Sequence, residues 1–138
     1  LTSYPRHVRL VIRYVPFHKE PSVAGVQILE AARRQQRFDP VMDALMQSQP
    51  IWASHSSPAA ERAWEFASAA GLDLEQARAY VATGVVDKLL EQDIADLNAV
   101  GVRATPTFFI NGRQLPEPDP SVLLAMVKSE VERLRKAP

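Results

Sequence analysis

Two stretches of period-two hydrophobicity stand far apart in this chain, and their separation limits the folds open to it. In Val8-Arg-Leu-Val-Ile-Arg-Tyr-Val15, residues 8, 10, 12 and 14 are all apolar or aromatic, which predicts a strand ended by Pro16. Pro106 to Ile110 predicts a second strand. Asn111-Gly112 is the favoured two-residue hairpin turn, and Arg113 to Leu115 begins a short return strand. About 87 residues, 16–102, lie between the two strands. A crossover normally needs one helix, so part of that region must form a helical lobe of its own.

The punctuation of the intervening region is helical. Asp39-Pro40, Ser57-Pro58 and Asp119-Pro120 each place a capping side chain before a proline suited to the first helical turn. Asp73 with Gln76 reads as a capping box. Gly71, Gly84 and Gly101 stand where helices should stop. These signals predict helices near 22–36, 39–48, 58–70, 73–83, 85–100 and 120–136. Within 85–100, Val86, Leu90, Ile94 and Leu97 form an apolar stripe, and Asp87, Glu91, Asp93 and Asp96 lie mostly on the polar side. The fold class is therefore α/β with a large helical component.

Composition narrows the function classes. The 138 residues are 46% hydrophobic, enough for one soluble domain with a real core. Sixteen basic against sixteen acidic residues give no overall electrostatic reason to expect nucleic acid or an anionic membrane. No apolar run approaches the roughly 20 residues that span a bilayer. The opening Leu-Thr-Ser-Tyr-Pro-Arg has neither a signal peptide nor an initiating Met, which implies processing or truncation. Cysteine is absent, so this chain holds no disulfide, thiolate metal site or thiol nucleophile.

Other candidate groups are better read as structure. His7, His18 and His55 lack metal-ligand spacing, and no metal site is expected. His18 follows the first strand, on the side of the sheet where α/β sites gather, but a loop histidine is the simpler reading. Ser54-His55-Ser56-Ser57 lacks a nucleophile elbow and reads as a turn. Trp52, Trp64, Phe108 and Phe109 read as core or lobe-interface residues, with Phe108 and Phe109 on opposite faces of a sheet covered on both sides. Arg133, Arg135 and Lys136 complement the dipole of the last helix.

The order strand, helical region, hairpin, helix, together with Gly101-Val102, Thr105-Pro106-Thr107-Phe108-Phe109 and Asn111-Gly112, resembles the thioredoxin superfamily. It looks most like the DsbA-like thiol–disulfide oxidoreductases. The likeness begins near residue 5, with Val8 to His18 matching the second core strand and its loop; Ala104 stands where many relatives carry Gly. The resemblance implies a thioredoxin-like core at 1–18 and 101–138, incomplete at its N-terminus. It implies a mostly helical insertion at 19–100, whose last helix would pack on the core.

By the same resemblance, Pro106 would be a cis-proline beside a redox site, and the Thr105 backbone would pair with an extended substrate peptide. The partners would be cysteine-containing polypeptides, the location the periplasm or cell envelope, and no cofactor is implied. The family's Cys-X-X-Cys lies on a strand and helix upstream of the segment matching Val8. The catalytic cysteines are therefore absent here, and this chain alone should lack thiol redox activity. The missing strand would lie between Val8–Val15 and Pro106–Ile110, leaving two open edges. Either an upstream segment or another chain would fill that slot, with a dimer or strand exchange among the options. The alternative is a redox-inactive module that binds a peptide or partner. A glutathione-transferase or isomerase relative ranks last, because Gln114-Leu-Pro-Glu-Pro-Asp-Pro120 is not aromatic-rich.

Overall fold

The computed structural model describes residues 4, 6–17, 20–54 and 59–136. Elements run in the order α1 (Glu20–Arg34), α2 (Phe38–Trp52), α3 (Ala60–Ala69), α4 (Leu74–Val81), α5 (Val85–Val100), β1 (Phe109–Ile110), β2 (Arg113–Gln114) and α6 (Pro120–Lys136). The chain divides into a helical unit, Tyr14–Asp96, and a second unit made of Leu1–Arg13 with Leu97–Pro138.

The helical unit owes its order to a dense apolar centre, with a side-chain cap on α4. Ile28, Val41, Ala63, Ala67 and Ala77 are wholly or almost wholly removed from solvent, and Trp52 and Trp64 are buried with them. Alanines on α1 and α3 let helix backbones approach while larger neighbours fill the space between. Gly25 serves the same purpose against Trp52, whose ring lies 3.3 Å from where a Cβ would stand. The Asp73 side chain caps α4 through the Gln76 N–H at 3.0 Å. Its own N–H donates to the Gln35 side chain at 2.9 Å, and Gln35 donates to the Asp73 carbonyl at 3.0 Å. Gln35 thus replaces the reciprocal bond that Gln76 would make in a full capping box.

α2 differs from its sequence pattern at both ends. It starts at Phe38 with Arg37 as an uncapped N-terminus, so Asp39 lies inside the first turn, where its charge suits the helix dipole. It also continues past Pro50 to Trp52, beyond the expected end at 48. Burial of Trp52 accounts for the extension: its indole N–H donates to the Leu45 carbonyl at 2.9 Å. One lost backbone donor near a helix end is offset by an aromatic ring in the core. The Ser57-Pro58 cap lies outside the described residues.

The second unit contains a short hairpin and α6. Phe109 faces Gln114 and Ile110 faces Arg113 in an antiparallel ladder. Asn111 (φ 48°) and Gly112 (φ 80°) both take the left-handed conformation that a tight hairpin turn demands. Asp119 caps α6 by accepting from the Ser121 and Val122 N–H groups at 2.8 and 3.0 Å.

Two strand expectations need correction here. Val8–Val15 forms no strand, and the Pro106–Ile110 strand is reduced to Phe109–Ile110. The reason is physical: among the described residues neither segment has a strand beside it other than β2, and an isolated strand cannot satisfy its own backbone. Phe109 is accordingly 44% exposed rather than core, so the sheet is not covered on both faces.

Replacing Ile28 with Ala should cost about 2–5 kcal/mol of unfolding free energy, because the closely packed helices leave a cavity. Urea unfolding checks this. A cost below about 1 kcal/mol, within the range of ordinary surface changes, would show that the helical unit is loosely packed.

Candidate functional site

The loop joining α5 to β1 carries the two residues expected at a substrate edge. Thr105-Pro106 is a cis peptide. Both residues are exposed, and the loop is braced from within by the Thr107 hydroxyl, which donates to the Ala104 carbonyl at 2.6 Å. Among the described residues no hydrogen bond engages the backbone of Thr105. A backbone amide and carbonyl left exposed in a loop four residues before a strand can receive an extended chain by strand addition.

A carboxylate knot fixes the far end of the hairpin. Glu130 of α6 accepts from Asn111 Nδ2 at 3.0 Å and from Arg133 at 2.9 Å, with Arg113 at 3.3 Å. These partners, Asn111 first and Arg133 next, hold its carboxyl below the usual range. The knot ties the turn to α6 and orients β1.

Residues of the Val8–Leu10 segment, β1 and above all α6 line a groove of about 570 Å³. Val8, Leu10, Phe109, Ile110, Leu124 and Val127 supply its apolar walls. His7 and Arg9 line it too; His18 and His55 lie outside the described residues, and among those described no group of side chains has metal-binding geometry.

Within the helical unit a buried polar cluster went unread in the sequence. Asp93 is 1% exposed and accepts the Tyr14 backbone N–H at 2.9 Å, so it does not belong to a solvated helix face. The Tyr14 hydroxyl donates to Glu30 at 2.7 Å, Arg33 donates to the same carboxylate at 3.0 Å, and Arg33 lies over the Phe38 ring at 4.2 Å. Burial, then the bond to Glu30, pushes the Tyr14 pKa up to about 12. Tyr14 on the apolar parity of its segment was the available signal. Asp93 gave none, because its position on α5 beside Asp87, Glu91 and Asp96 mimics a wet face.

The family model described as thioredoxin matches residues 3–129. The chain belongs to the thioredoxin family. It is also 33% identical over 108 residues to a Na(+)/H(+) antiporter NhaA of Herminiimonas arsenicoxydans. That match covers 78% of this chain but only 16% of the antiporter. No solved structure matches. Among the described residues no helix is long and apolar enough to cross a membrane. A mostly helical member with a reduced sheet is what the thioredoxin chain amounts to here.

Tyr14 sets an alkaline limit. Unfolded tyrosine ionises near 10, the folded residue near 12, so between these values the unfolded state holds fewer protons and stability falls as pH rises. Tyr14→Phe should remove that share of the loss, and its unfolding free energy should decline less than that of the parent above pH 10. Parallel declines in denaturant titrations at several pH values would rule out the Tyr14 contribution.

Proposed function

We propose that this chain is the substrate-holding part of a DsbA-like thiol–disulfide oxidoreductase acting on cysteine-containing polypeptides in the cell envelope. The observation that carries the reading is the exposed Thr105 backbone beside Pro106, without a hydrogen-bond partner among the described residues, in the loop that leads to β1 of a thioredoxin-family chain. Thr105 would pair with the substrate backbone, and Pro106 would keep the loop clear of the ladder, since it has no N–H to donate. The thiols must come from outside these residues, because the chain has no cysteine. When supplied, a thiolate attacks a substrate disulfide sulfur, forms a mixed disulfide and expels the other sulfur as thiolate.

The same absence of cysteine favours a second reading, a redox-inactive module that uses the Thr105–Pro106 edge to bind peptides. Ion exchange is a property named for the antiporter, most of whose length this chain does not match, and it is not proposed here.

One experiment separates the two readings. The protein isolated from its source is reduced, treated with a thiol-alkylating reagent and weighed intact. The oxidoreductase reading predicts a species heavier than 15.3 kDa that gains alkyl groups. A mass of 15.3 kDa that does not change would rule it out and leave the binding module.

A further inference from the structure

The peptide group between Ala104 and Thr105 is held from one side only. The Thr107 hydroxyl donates to the Ala104 carbonyl at 2.6 Å. The only cis peptide among the described residues is Thr105-Pro106, so Ala104–Thr105 is trans. A trans peptide is planar, with its C=O and N–H pointing in opposite directions. The bond that draws the Ala104 oxygen toward Thr107 therefore turns the Thr105 N–H away from Thr107. Among the described residues that N–H meets no acceptor. Ala104, Thr105 and Pro106 are exposed, while Thr107 is half-buried.

The neighbouring groups leave Thr105 to act alone. Pro106 has no N–H to offer, and the Ala104 carbonyl is already engaged. A hydroxyl has one proton, and the Ala104 carbonyl takes the one on Thr107. The β-branched Thr107 side chain has a restricted χ1, which keeps that hydroxyl in place. Valine has nearly the same shape without the donor, so shape and hydrogen bond can be separated by substitution.

We propose that Thr107 is a positioning residue: its hydroxyl fixes the Ala104–Thr105 peptide so that the Thr105 N–H faces an incoming polypeptide and donates to one of its carbonyls. The inference rests on the reading of Thr105 as the residue that pairs with substrate backbone, and adds the group that sets its direction. Without the hydroxyl, the Ala104 carbonyl turns to water and the peptide plane is free to rotate. An amide fixed beforehand loses less freedom on binding, so Thr107 raises affinity while acting only through Thr105.

The test compares Thr107→Val and Thr107→Ser in the 138-residue chain. The probe is a fluorescein-labelled peptide of alternating Val and Thr with one alkylated cysteine at its centre. Fluorescence anisotropy gives its affinity, and NMR follows the Thr105 amide proton. In the parent chain the peptide should bind and move that proton downfield as it is donated. Thr107→Val should weaken binding about fivefold, the scale of one neutral hydrogen bond, and shrink the shift. Thr107→Ser, which keeps the donor, should restore both. Urea unfolding checks that each variant is as stable as the parent. Equal affinity and shift in the parent and Thr107→Val would overturn the role of Thr107 and leave Thr105 as the pairing residue. So would equal weakening by both variants. A parent chain that fails to bind, or binds with no change at the Thr105 amide, would overturn the pairing itself and this inference with it.

Discussion

Backbone N–H and C=O groups taken from water must find partners, and in the unit built from Leu1–Arg13 and Leu97–Pro138 the described residues supply a single two-stranded ladder. β1 has one neighbour, β2, and the Val8–Leu10 segment has none among the described residues. Everything else in that unit stabilises the single ladder present. Asn111 and Gly112 close it, and Glu130 binds the turn to α6 through Asn111, Arg113 and Arg133. The Asp119 cap sets where α6 begins.

The helical unit solves its backbone problem internally. Tyr14 is the first residue of that unit, and the carboxylate of Asp93 receives its N–H in place of a sheet neighbour. The tyrosine ring then reaches Glu30 and Arg33 on α1. A buried carboxylate standing in for a strand carries a desolvation cost, which direct hydrogen bonds offset. The chain is therefore held at Tyr14, while Arg9 to Ile12 enter no ladder among the described residues.

Much of this was legible in the sequence where a local rule has one outcome. Gly71, Gly84 and Gly101 all take positive φ, as helix stops require, and Asn111-Gly112 forms the expected turn. Asp73 and Asp119 cap their helices because the side chain and the N–H groups it serves lie within three residues. Illegible were features set by distant partners. The alternation of Val8–Val15 shows strand capacity, yet a ladder needs a neighbour that local pattern does not supply. Trp52 carries α2 past Pro50 through packing on Gly25, across a distance in sequence that no local rule spans. Asp93 looks solvated on a helical wheel and is buried, where it accepts the Tyr14 N–H. The Thr105-Pro106 motif stands out in the sequence, whereas the groove lined by Val8, Phe109 and Leu124 appears only in the fold.

Among the described residues no backbone acceptor serves the amides of Arg9 to Ile12, whereas Asp93 holds the N–H of Tyr14. Hydrogen–deuterium exchange of the 138-residue chain tests it most directly, residue by residue. The account predicts fast exchange at the amides of Arg9 to Ile12 and slow exchange at Tyr14, whose N–H is held by Asp93. Protection across Arg9 to Ile12 equal to that of α1 would contradict it, because those amides would then already belong to a ladder.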